Sequence, residues 1–253
     1  MSINIDRNFD DITSKFAKNI YGTTKGKIRE VIVWQDMVSI LAQFPQSQKL
    51  SILDAGGGQG QMACKLAKLG HDVTLCDISQ QMLDVAKTQA KADDVSLNYQ
   101  HCAIQELSGS FDIVICHAVL EWVVDGPGLL SSLKKLLKPD GILSLMFYNY
   151  HGLLFRTVTL GNFGYAQTDL NKRKKKTLSP DHPRKPDDVY YWLEQLSFNI
   201  INRTGIRIFH DYLADKQKQQ TRFEQLLELE KQFCKQEPYI GLARYIHVVA
   251  KKD

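Results

Sequence analysis

The chain has 253 residues, of which 43% are hydrophobic and 24% are charged, and its formal net charge is +4. These values are ordinary for a globular protein with a large core. The acids near the N-terminus and the lack of an apolar run of ~18 residues argue against an exported or membrane-spanning protein. Five cysteines without zinc-type spacing favour reduced thiols in a cytoplasmic protein that binds no metal.

Strand-like and helix-like segments alternate along most of the chain. The apolar pattern of residues 7–44 predicts two helices. We expect these helices to form an N-terminal helical cap over 1–47. Five strands are predicted after the cap, in "LSILDAG", "DVTLCD", "LNYQHCA", "FDIVICHAV" and "GILSLMFYN". Two more strands, in "FNIINRTGIRIFH" and "ARYIHVVAKK", flank a helix in "RFEQLLELEKQFC". The alternation predicts one α/β domain over 1–253, a Rossmann-like, doubly wound, mostly parallel seven-stranded sheet.

Residues 151–188 fit neither pattern, because they are rich in Gly, Pro and Lys. We expect them to form a basic insertion, or lid, after strand five and over the sheet edge where ligands bind. Between Arg156 and Lys185 there are eight Lys or Arg against two Asp. A basic run is usually a solvated loop, but this position favours contact with RNA phosphates. The predicted RNA-contacting residues are Lys172, Arg173, Lys174, Lys175, Lys176, Arg184 and Lys185.

Four glycines follow the first predicted strand within five residues. In an open parallel sheet, a glycine turn at this point lets a cofactor touch the backbone, although a turn without a ligand is the alternative. The NAD-type spacing G-x-G-x-x-G is not met, because the sixth position is Gln61. The observed pattern is an acid followed by G-x-G-x-G, with a second acid at the end of strand two; its residues are Asp54, Gly56, Gly58, Gly60 and Asp77.

This pattern resembles the nucleotide-binding motif of class I S-adenosylmethionine-dependent methyltransferases. The carboxylate of Asp77 can accept hydrogen bonds from both ribose hydroxyls. Two further segments, "LLKPDGILSLMF" and "FDIVICHAVLEWV", resemble the fifth strand of these enzymes and their fourth strand with its loop. The resemblance implies a methyltransferase with S-adenosylmethionine as its cofactor.

Segments outside this core are similar to the tRNA 5-carboxymethoxyuridine methyltransferase family. They are "RNFDDITSKFAKNIYGTTKGKIRE", "FYNYHGLL" with "GNF", "KKKTLSPDHPR", "IRIFHDYL" and "QEPYIGLARYIHV". The resemblance implies methylation of the carboxylate of 5-carboxymethoxyuridine at the wobble position, in the anticodon loop of tRNA. It also implies cofactor contacts from Arg29, Gly56, Gly57, Asp77, Cys102, Ala103 and His117.

An acceptor carboxylate is already ionised at neutral pH, so its methylation needs no general base and we assign no catalytic residue. The positioning candidates are His117, Tyr148, Arg207 and His210, of which Arg207 or His210 could grip the carboxylate. The candidates for stacking a splayed wobble base are Tyr148, Tyr150, His151, Phe163 and Tyr165.

Each of these residues has a structural alternative. Arg29 could be an exposed helix arginine, His117 a hydrogen-bonded structural histidine, and the aromatic residues part of the core. Two other functions also fit the motifs: a methyltransferase for a small metabolite, and a cofactor-binding or tRNA-binding protein without catalysis.

Overall fold

A computed structural model describes residues 22–170 and 180–253. Its strands are β1 (Ser51–Ala55), β2 (Asp72–Asp77), β3 (Asn98–His101), β4 (Phe111–His117), β5 (Leu137–Tyr148), β6 (Phe198–Ile206) and β7 (Tyr245–Lys252). Its α-helices are α1 (Thr24–Leu41), α2 (Gln61–Lys68), α3 (Gln80–Ala92), α4 (Gly126–Lys135), α5 (Tyr150–Thr159), α6 (Phe163–Gln167), α7 (Pro186–Gln195), α8 (Lys218–Thr221), α9 (Phe223–Phe233) and α10 (Tyr239–Leu242). Short 3₁₀ turns lie at Ile104–Glu106, Leu120–Trp122 and His210–Tyr212.

All seven strands belong to one sheet, in the order β3-β2-β1-β4-β5-β7-β6. Neighbouring strands pair in parallel from β3 to β5, and β7 is antiparallel to both β5 and β6. This confirms the predicted mostly parallel seven-stranded sheet. The strand order reverses between β1 and β4, so the ligand crevice should lie beyond the carboxyl ends of these strands.

Helices cover both faces of the sheet and bury its central strands. One face packs against apolar side chains of α1, α2, α3 and α9, and the other face packs against α4 and α7. The six residues of β4 from Phe111 to Cys116 are all buried, because a strand covered on both faces has no solvent-facing side. None of the described helices is long and apolar enough to cross a membrane.

The N-terminal half of the molecule follows the sequence pattern closely. The second predicted helix is α1, whereas the first lies in 1–21, outside the described residues. The hydroxyl of Thr23 accepts a hydrogen bond from the Gly26 amide (3.2 Å) and so caps α1. Ser79 caps α3, because its hydroxyl accepts a hydrogen bond from the Met82 amide (3.2 Å).

The segment 151–188 is more regular than the sequence indicated. It contains most of α5, all of α6 and the start of α7, while 171–179 lie outside the described residues. The side chain of Asn149 caps α5 by accepting from the His151 amide (3.0 Å). A Cβ on Gly152 would lie 2.2 Å from the carbonyl oxygen of Ala243, so α5 packs directly on the backbone before β7. Because β5 leads straight into α5, this helix stands at the carboxyl edge of the sheet.

Candidate active site

The glycine loop after β1 lines a cleft at the carboxyl edge of the sheet. Gly56, Gly58 and Gly60 have φ angles of 71°, 55° and 73°, which residues with a Cβ rarely adopt. At Gly57 a Cβ would lie 2.5 Å from Leu75 and 2.6 Å from Oδ2 of Asp54. The turn geometry and the close packing therefore both require bare backbone here.

Asp77 holds this loop in place and also lines the cleft. Its Oδ2 accepts a hydrogen bond from the Gly58 amide (2.9 Å), and its Oδ1 accepts one from the Ser79 amide (2.9 Å). A carboxylate can accept more hydrogen bonds than these two. The position at the end of β2 therefore suits the diol of a ribose.

The cleft has a volume of about 240 Å³. Nine of the ten predicted cofactor residues line it: Arg29, Asp54, Gly56, Gly57, Gly58, Asp77, Cys102, Ala103 and His117. Gly60 does not line it; a Cβ there would lie 3.0 Å from Cβ of Ala86, so this glycine lets the loop pack against α3. The sequence reasoning missed the apolar wall, which includes Val33, Met62, Ile78, Met82, Ile104, Val119, Trp122 and Leu129.

Asp54 is the most unusual acid of the cleft. It is buried, and its Oδ2 has no hydrogen-bond partner among the described residues. Burial raises the pKa of Asp54 to about 7, and the negative charge of Asp77 adds to the increase. A cation in the cleft would favour the ionised form of Asp54. The unpartnered oxygen, the bare loop and the apolar wall together fit a ligand that combines an apolar base, a ribose and a positive charge.

His117 lies at the end of a buried chain of polar side chains that runs across the sheet. Its Nε2 is 2.8 Å from Oγ of Ser144, which is 2.8 Å from Nε2 of His247. The other ring nitrogen of His247 is 2.7 Å from Oδ2 of Asp36. Burial alone would raise the pKa of Asp36. The hydrogen bond with His247 and the other polar contacts of Asp36 outweigh burial and lower its pKa to about 2.

The ionised Asp36 fixes one end of this chain. The ring nitrogen of His247 that faces Asp36 carries a proton and donates it to the carboxylate. Ser144 links the other nitrogen of His247 to Nε2 of His117 through its hydroxyl, which can both donate and accept. Burial, followed by the charges of His247 and Arg29, holds the pKa of His117 well below its ordinary value. His117 is therefore a neutral hydrogen-bonding group and a weak base.

A second cavity, the arginine pocket, lies beside the cleft and has a volume of about 440 Å³. It is lined by Lys25, Tyr148, Arg156, Arg207, Asp211, Lys216, Gln219 and Arg244. The two cavities share their supporting elements, since α1 supplies Lys25 to the pocket and Arg29 to the cleft. In the same way, β5 supplies Met146 to the cleft and Tyr148 to the pocket.

Asp211 is the centre of the arginine pocket. Both of its oxygens accept from Nη2 of Arg207 (2.7 and 2.5 Å), and Oδ2 also accepts from Nε of Arg244 (2.6 Å). Arg244 in turn donates to the hydroxyl of Tyr148 (2.8 Å). Although burial alone would raise it, the neighbouring Arg207, His210 and Arg244 keep the pKa of Asp211 well below its ordinary value.

Two positioning candidates, Arg207 and Tyr148, line this pocket, but His210 does not. The His210 ring is fully buried between Oγ1 of Thr24 (2.9 Å) and Oδ1 of Asp211 (3.0 Å). Our expectation that His210 could grip a substrate carboxylate is therefore corrected. His210 supports Asp211 from behind.

Arg184, a predicted RNA contact, is half-buried and has a structural part in the fold. Its guanidinium donates to the carbonyl oxygens of Leu120 (2.9 and 3.1 Å) and Val123, so it closes the loop after β4. Lys185 is exposed, with Nζ 5.3 Å from the ring centre of Tyr150. The other predicted RNA residues, Lys172 to Lys176, lie outside the described residues.

The aromatic candidates differ in their surroundings. Tyr148 is almost fully buried, and Tyr150 donates from its hydroxyl to Asp169, a bond that raises the pKa of Tyr150 to about 12. His151 is exposed and Tyr165 is half-buried. Phe163 is 60% exposed, so its ring is available for stacking.

The fold and the cleft define a class of enzyme. The sequence model of a methyltransferase domain matches residues 53–145. Magnesium protoporphyrin IX methyltransferase from Synechocystis PCC 6803, solved with bound SAH, superposes with a TM-score of 0.66 over 97% of this chain and 96% of that chain, at 17% identity. The chain thus has the fold and the cofactor cleft of a class I S-adenosylmethionine-dependent methyltransferase.

Sequence similarity identifies the family within this class of enzymes. The tRNA 5-carboxymethoxyuridine methyltransferase of Escherichia coli (strain K12) is 54% identical over 253 residues, which cover 98% of this chain and 97% of that protein. The ubiquinone biosynthesis O-methyltransferase of Colwellia psychrerythraea (strain 34H / ATCC BAA-681) is 30% identical over 167 residues, covering 62% of this chain and 64% of that protein. The chain belongs to the tRNA 5-carboxymethoxyuridine methyltransferase family, and its cofactor is S-adenosylmethionine.

Proposed function

We propose that this enzyme transfers a methyl group to the carboxylate of 5-carboxymethoxyuridine at the wobble position of tRNA and forms the methyl ester. The observation that carries the proposal is the extent of the similarity. The tRNA-modifying relative matches 98% of the chain, whereas the O-methyltransferase relative matches only 62%. Because the cofactor cleft is common to the whole class, acceptor choice depends on the remaining segments, and a relative that matches nearly the whole chain must share them.

The chemistry of the site suits a carboxylate acceptor. Bound S-adenosylmethionine supplies a methyl group on a positively charged sulfur, and an ionised carboxylate can attack it without losing a proton. The depressed pKa of His117 makes this residue a poor base, which agrees with a reaction that needs none. The protein then contributes alignment of the reacting atoms and removal of water, for which the apolar cleft wall is suited.

The cleft residues take separate parts in holding the cofactor. In this proposal Asp77 accepts from the ribose hydroxyls, while Cys102 and Ala103 flank the adenine. Arg29 pairs with the methionyl carboxylate, as a guanidinium can do through two parallel hydrogen bonds. The neutral ring of His117 lies beside the reacting atoms and positions them through hydrogen bonding.

The tRNA would be held mainly through its phosphates. A wobble base lies in a single-stranded anticodon loop and can be turned out into a pocket, which suits the open carboxyl edge of the sheet. The basic run Lys172 to Lys176 and the exposed Lys185 supply positive charge for the backbone. Neutralising the five residues of the run should weaken tRNA binding and flatten its dependence on salt, by a slope of roughly 0.7–0.9 per lost contact. An unchanged salt slope would show that the run is only a solvated loop.

A labelling experiment tests the proposed reaction. Purified protein and methyl-labelled S-adenosylmethionine are incubated with tRNA that carries 5-carboxymethoxyuridine, with tRNA that carries unmodified wobble uridine, and with a small phenol. We expect label only in the first sample, and mild alkali should release it because an ester is hydrolysed whereas an ether or a methylated base is not. Label in the phenol alone would favour the small-metabolite alternative, whereas alkali-stable label in tRNA would show that the acceptor is a base or a ribose and not the carboxylate.

A further inference from the structure

Two cations of the arginine pocket have no partner within the described part of the chain. Nε of Arg156 is buried and forms no hydrogen bond there, and Lys25 forms no ion pair or hydrogen bond with any described residue. Arg207 and Arg244, in contrast, are both bound to Asp211. The pocket therefore contains one internally satisfied cluster and two cations that remain available.

The positive charge of the pocket is not balanced internally. Five Lys or Arg side chains line it, and Asp211 is the one acid among its described lining residues. Burial lowers the pKa of Lys25, and repulsion from Arg207 and Arg156 lowers it further. Cations that repel one another in a partly buried site favour the binding of an anion.

The fold anchors the helix that carries Arg156. Gly152 lies one helical turn before Arg156 and packs against the backbone at Ala243. The hydroxyl of Tyr212 donates to the carbonyl of Gly152 (3.0 Å), and the Tyr212 ring packs edge-on against Phe155 with centroids 5.3 Å apart. Arg156 is therefore presented by an anchored helix, and little conformational freedom of α5 needs to be lost on binding.

The pocket is also close enough to the cleft to hold the acceptor. Lys25 and Arg29 are four residues apart on α1, a spacing of about 5–6 Å. Met146 and Tyr148 are two residues apart on β5, a spacing of about 7 Å. Lining residues of the two cavities thus lie about 5–7 Å apart along the same elements, and a group bound at the edge of the pocket adjoins the cleft.

We propose that Arg156 and Lys25 bind the acceptor carboxylate and make the enzyme prefer the acid over its methyl ester, while Arg207, Arg244 and Asp211 form the rigid wall behind it. This inference rests on the proposed function. In the reaction an O–CH₃ bond forms and an S–CH₃ bond breaks, so the carboxylate becomes a neutral ester and the sulfonium becomes a thioether, without release of a proton. The group that the pocket attracted has then lost its charge, which favours product release.

The test measures the preference for acid over ester directly. Dissociation constants are determined, with S-adenosylhomocysteine present, for tRNA bearing 5-carboxymethoxyuridine and for the same tRNA bearing the methyl ester. The wild type should bind the acid form more tightly. Arg156→Ala should reduce this preference about ten- to a hundredfold, the range for a lost hydrogen bond to a charged group. Arg156→Lys should retain part of it, and Lys25→Ala should lower it less.

Lys135→Ala is the matched control, because it removes an exposed positive charge at the opposite edge of the sheet, on α4. This control should keep the wild-type preference. A tRNA phosphate is the other oxyanion that the pocket could bind, and in that case Arg156→Ala would weaken both tRNA forms by the same factor. An unchanged ratio, or a wild type without preference, would overturn the inference. Failure of the wild type to methylate the acid-bearing tRNA would instead overturn the proposed function.

Discussion

The cofactor cleft and the arginine pocket lie side by side at one sheet edge, but they are built in opposite ways. The cleft consists of a glycine turn, an apolar wall and few charges, and most of its residues follow the ends of neighbouring strands. The pocket consists of long cationic side chains that α1, α5, the segment after β6 and Arg244 just before β7 bring together around one buried acid. The cleft therefore depends on backbone shape, whereas the pocket depends on a single ion cluster.

The largest expected effect is on the pocket side of this comparison. Asp211→Ala leaves Arg207 and the buried Arg244 without their acid, and breaking a buried ion cluster in this way costs about 3–5 kcal/mol of the free energy of unfolding. Urea unfolding measures this loss. Asp215→Ala, at an exposed acid four residues later, is the control and should change stability by less than about 0.5 kcal/mol. Equal, small losses in both variants would show that the ion cluster is not what holds the pocket together.

The cleft has its own sensitive position at Asp77. Asp77→Ala should weaken S-adenosylmethionine binding by about 2 kcal/mol or more, because charge-assisted hydrogen bonds to the ribose and to the Gly58 amide are lost. Titration calorimetry measures this, with Asp84→Ala on the exposed face of α3 as the control. The tRNA preference for acid over ester should be unchanged. If the Asp77 variant binds the cofactor as tightly as the wild type does, the ribose does not bind at Asp77.

Gly152→Ala tests whether a steric change, without a change of charge, disturbs the arginine pocket and leaves the cleft intact. The added Cβ would collide with the carbonyl oxygen of Ala243, so α5 must shift and carry Arg156 with it. We expect a loss of about 1–3 kcal/mol in stability, as for other overpacked sites, together with a reduced acid-over-ester preference and normal cofactor affinity. Gly164→Ala on α6 is the matched control, because a Cβ there meets no atom within 4 Å. Loss of cofactor affinity in Gly152→Ala would mean that α5 supports the cleft as well.

The same contrast explains what the sequence could predict. Strand ends, the glycine turn and Asp77 are local signals, so the fold and the glycine side of the cleft followed from short motifs. The other predicted residues that line the cleft, Arg29, Cys102, Ala103 and His117, came from the resemblance to a family. The pocket joins Lys25 on α1 to Arg244 before β7, and no local pattern shows that such distant residues meet. The structural part of Arg184 was missed for the same reason, because charge alone does not reveal that a guanidinium binds backbone carbonyls of its own chain.

The polar chain behind His117 was also missed, although the sequence contained a signal for it. Ser144 and His247 are polar residues inside the apolar strands β5 and β7, and both are fully buried. A buried polar residue requires a hydrogen-bond partner. This rule predicts that such residues pair, but the partner, here Asp36 on α1, becomes known only when the sheet order and the helix packing are known.

The smallest expected effect concerns His117, where the cleft's lack of a base can be tested. His117 is neutral around neutral pH, because burial holds the pKa of its ring well below the ordinary value of 6.5. The methyl-transfer step should therefore show no rising limb near neutral pH that depends on His117. His117→Gln keeps a donor for Ser144 and should slow the step only a few-fold, against the ~10² to 10⁴ typical of removing a general acid or base.

Single-turnover rates across pH, with both substrates saturating, test this expectation. Saturation is needed because Asp54, whose pKa is about 7, is protonated below that pH and ionised above it. A positively charged cofactor favours the ionised form, so cofactor affinity should rise with pH even if the chemical step does not. A rate that rises with a midpoint near pH 6.5, and that loses this rise in His117→Gln, would show that His117 accepts a proton. The acceptor would then be a hydroxyl or an amine, because a carboxylate has no proton to give at that pH.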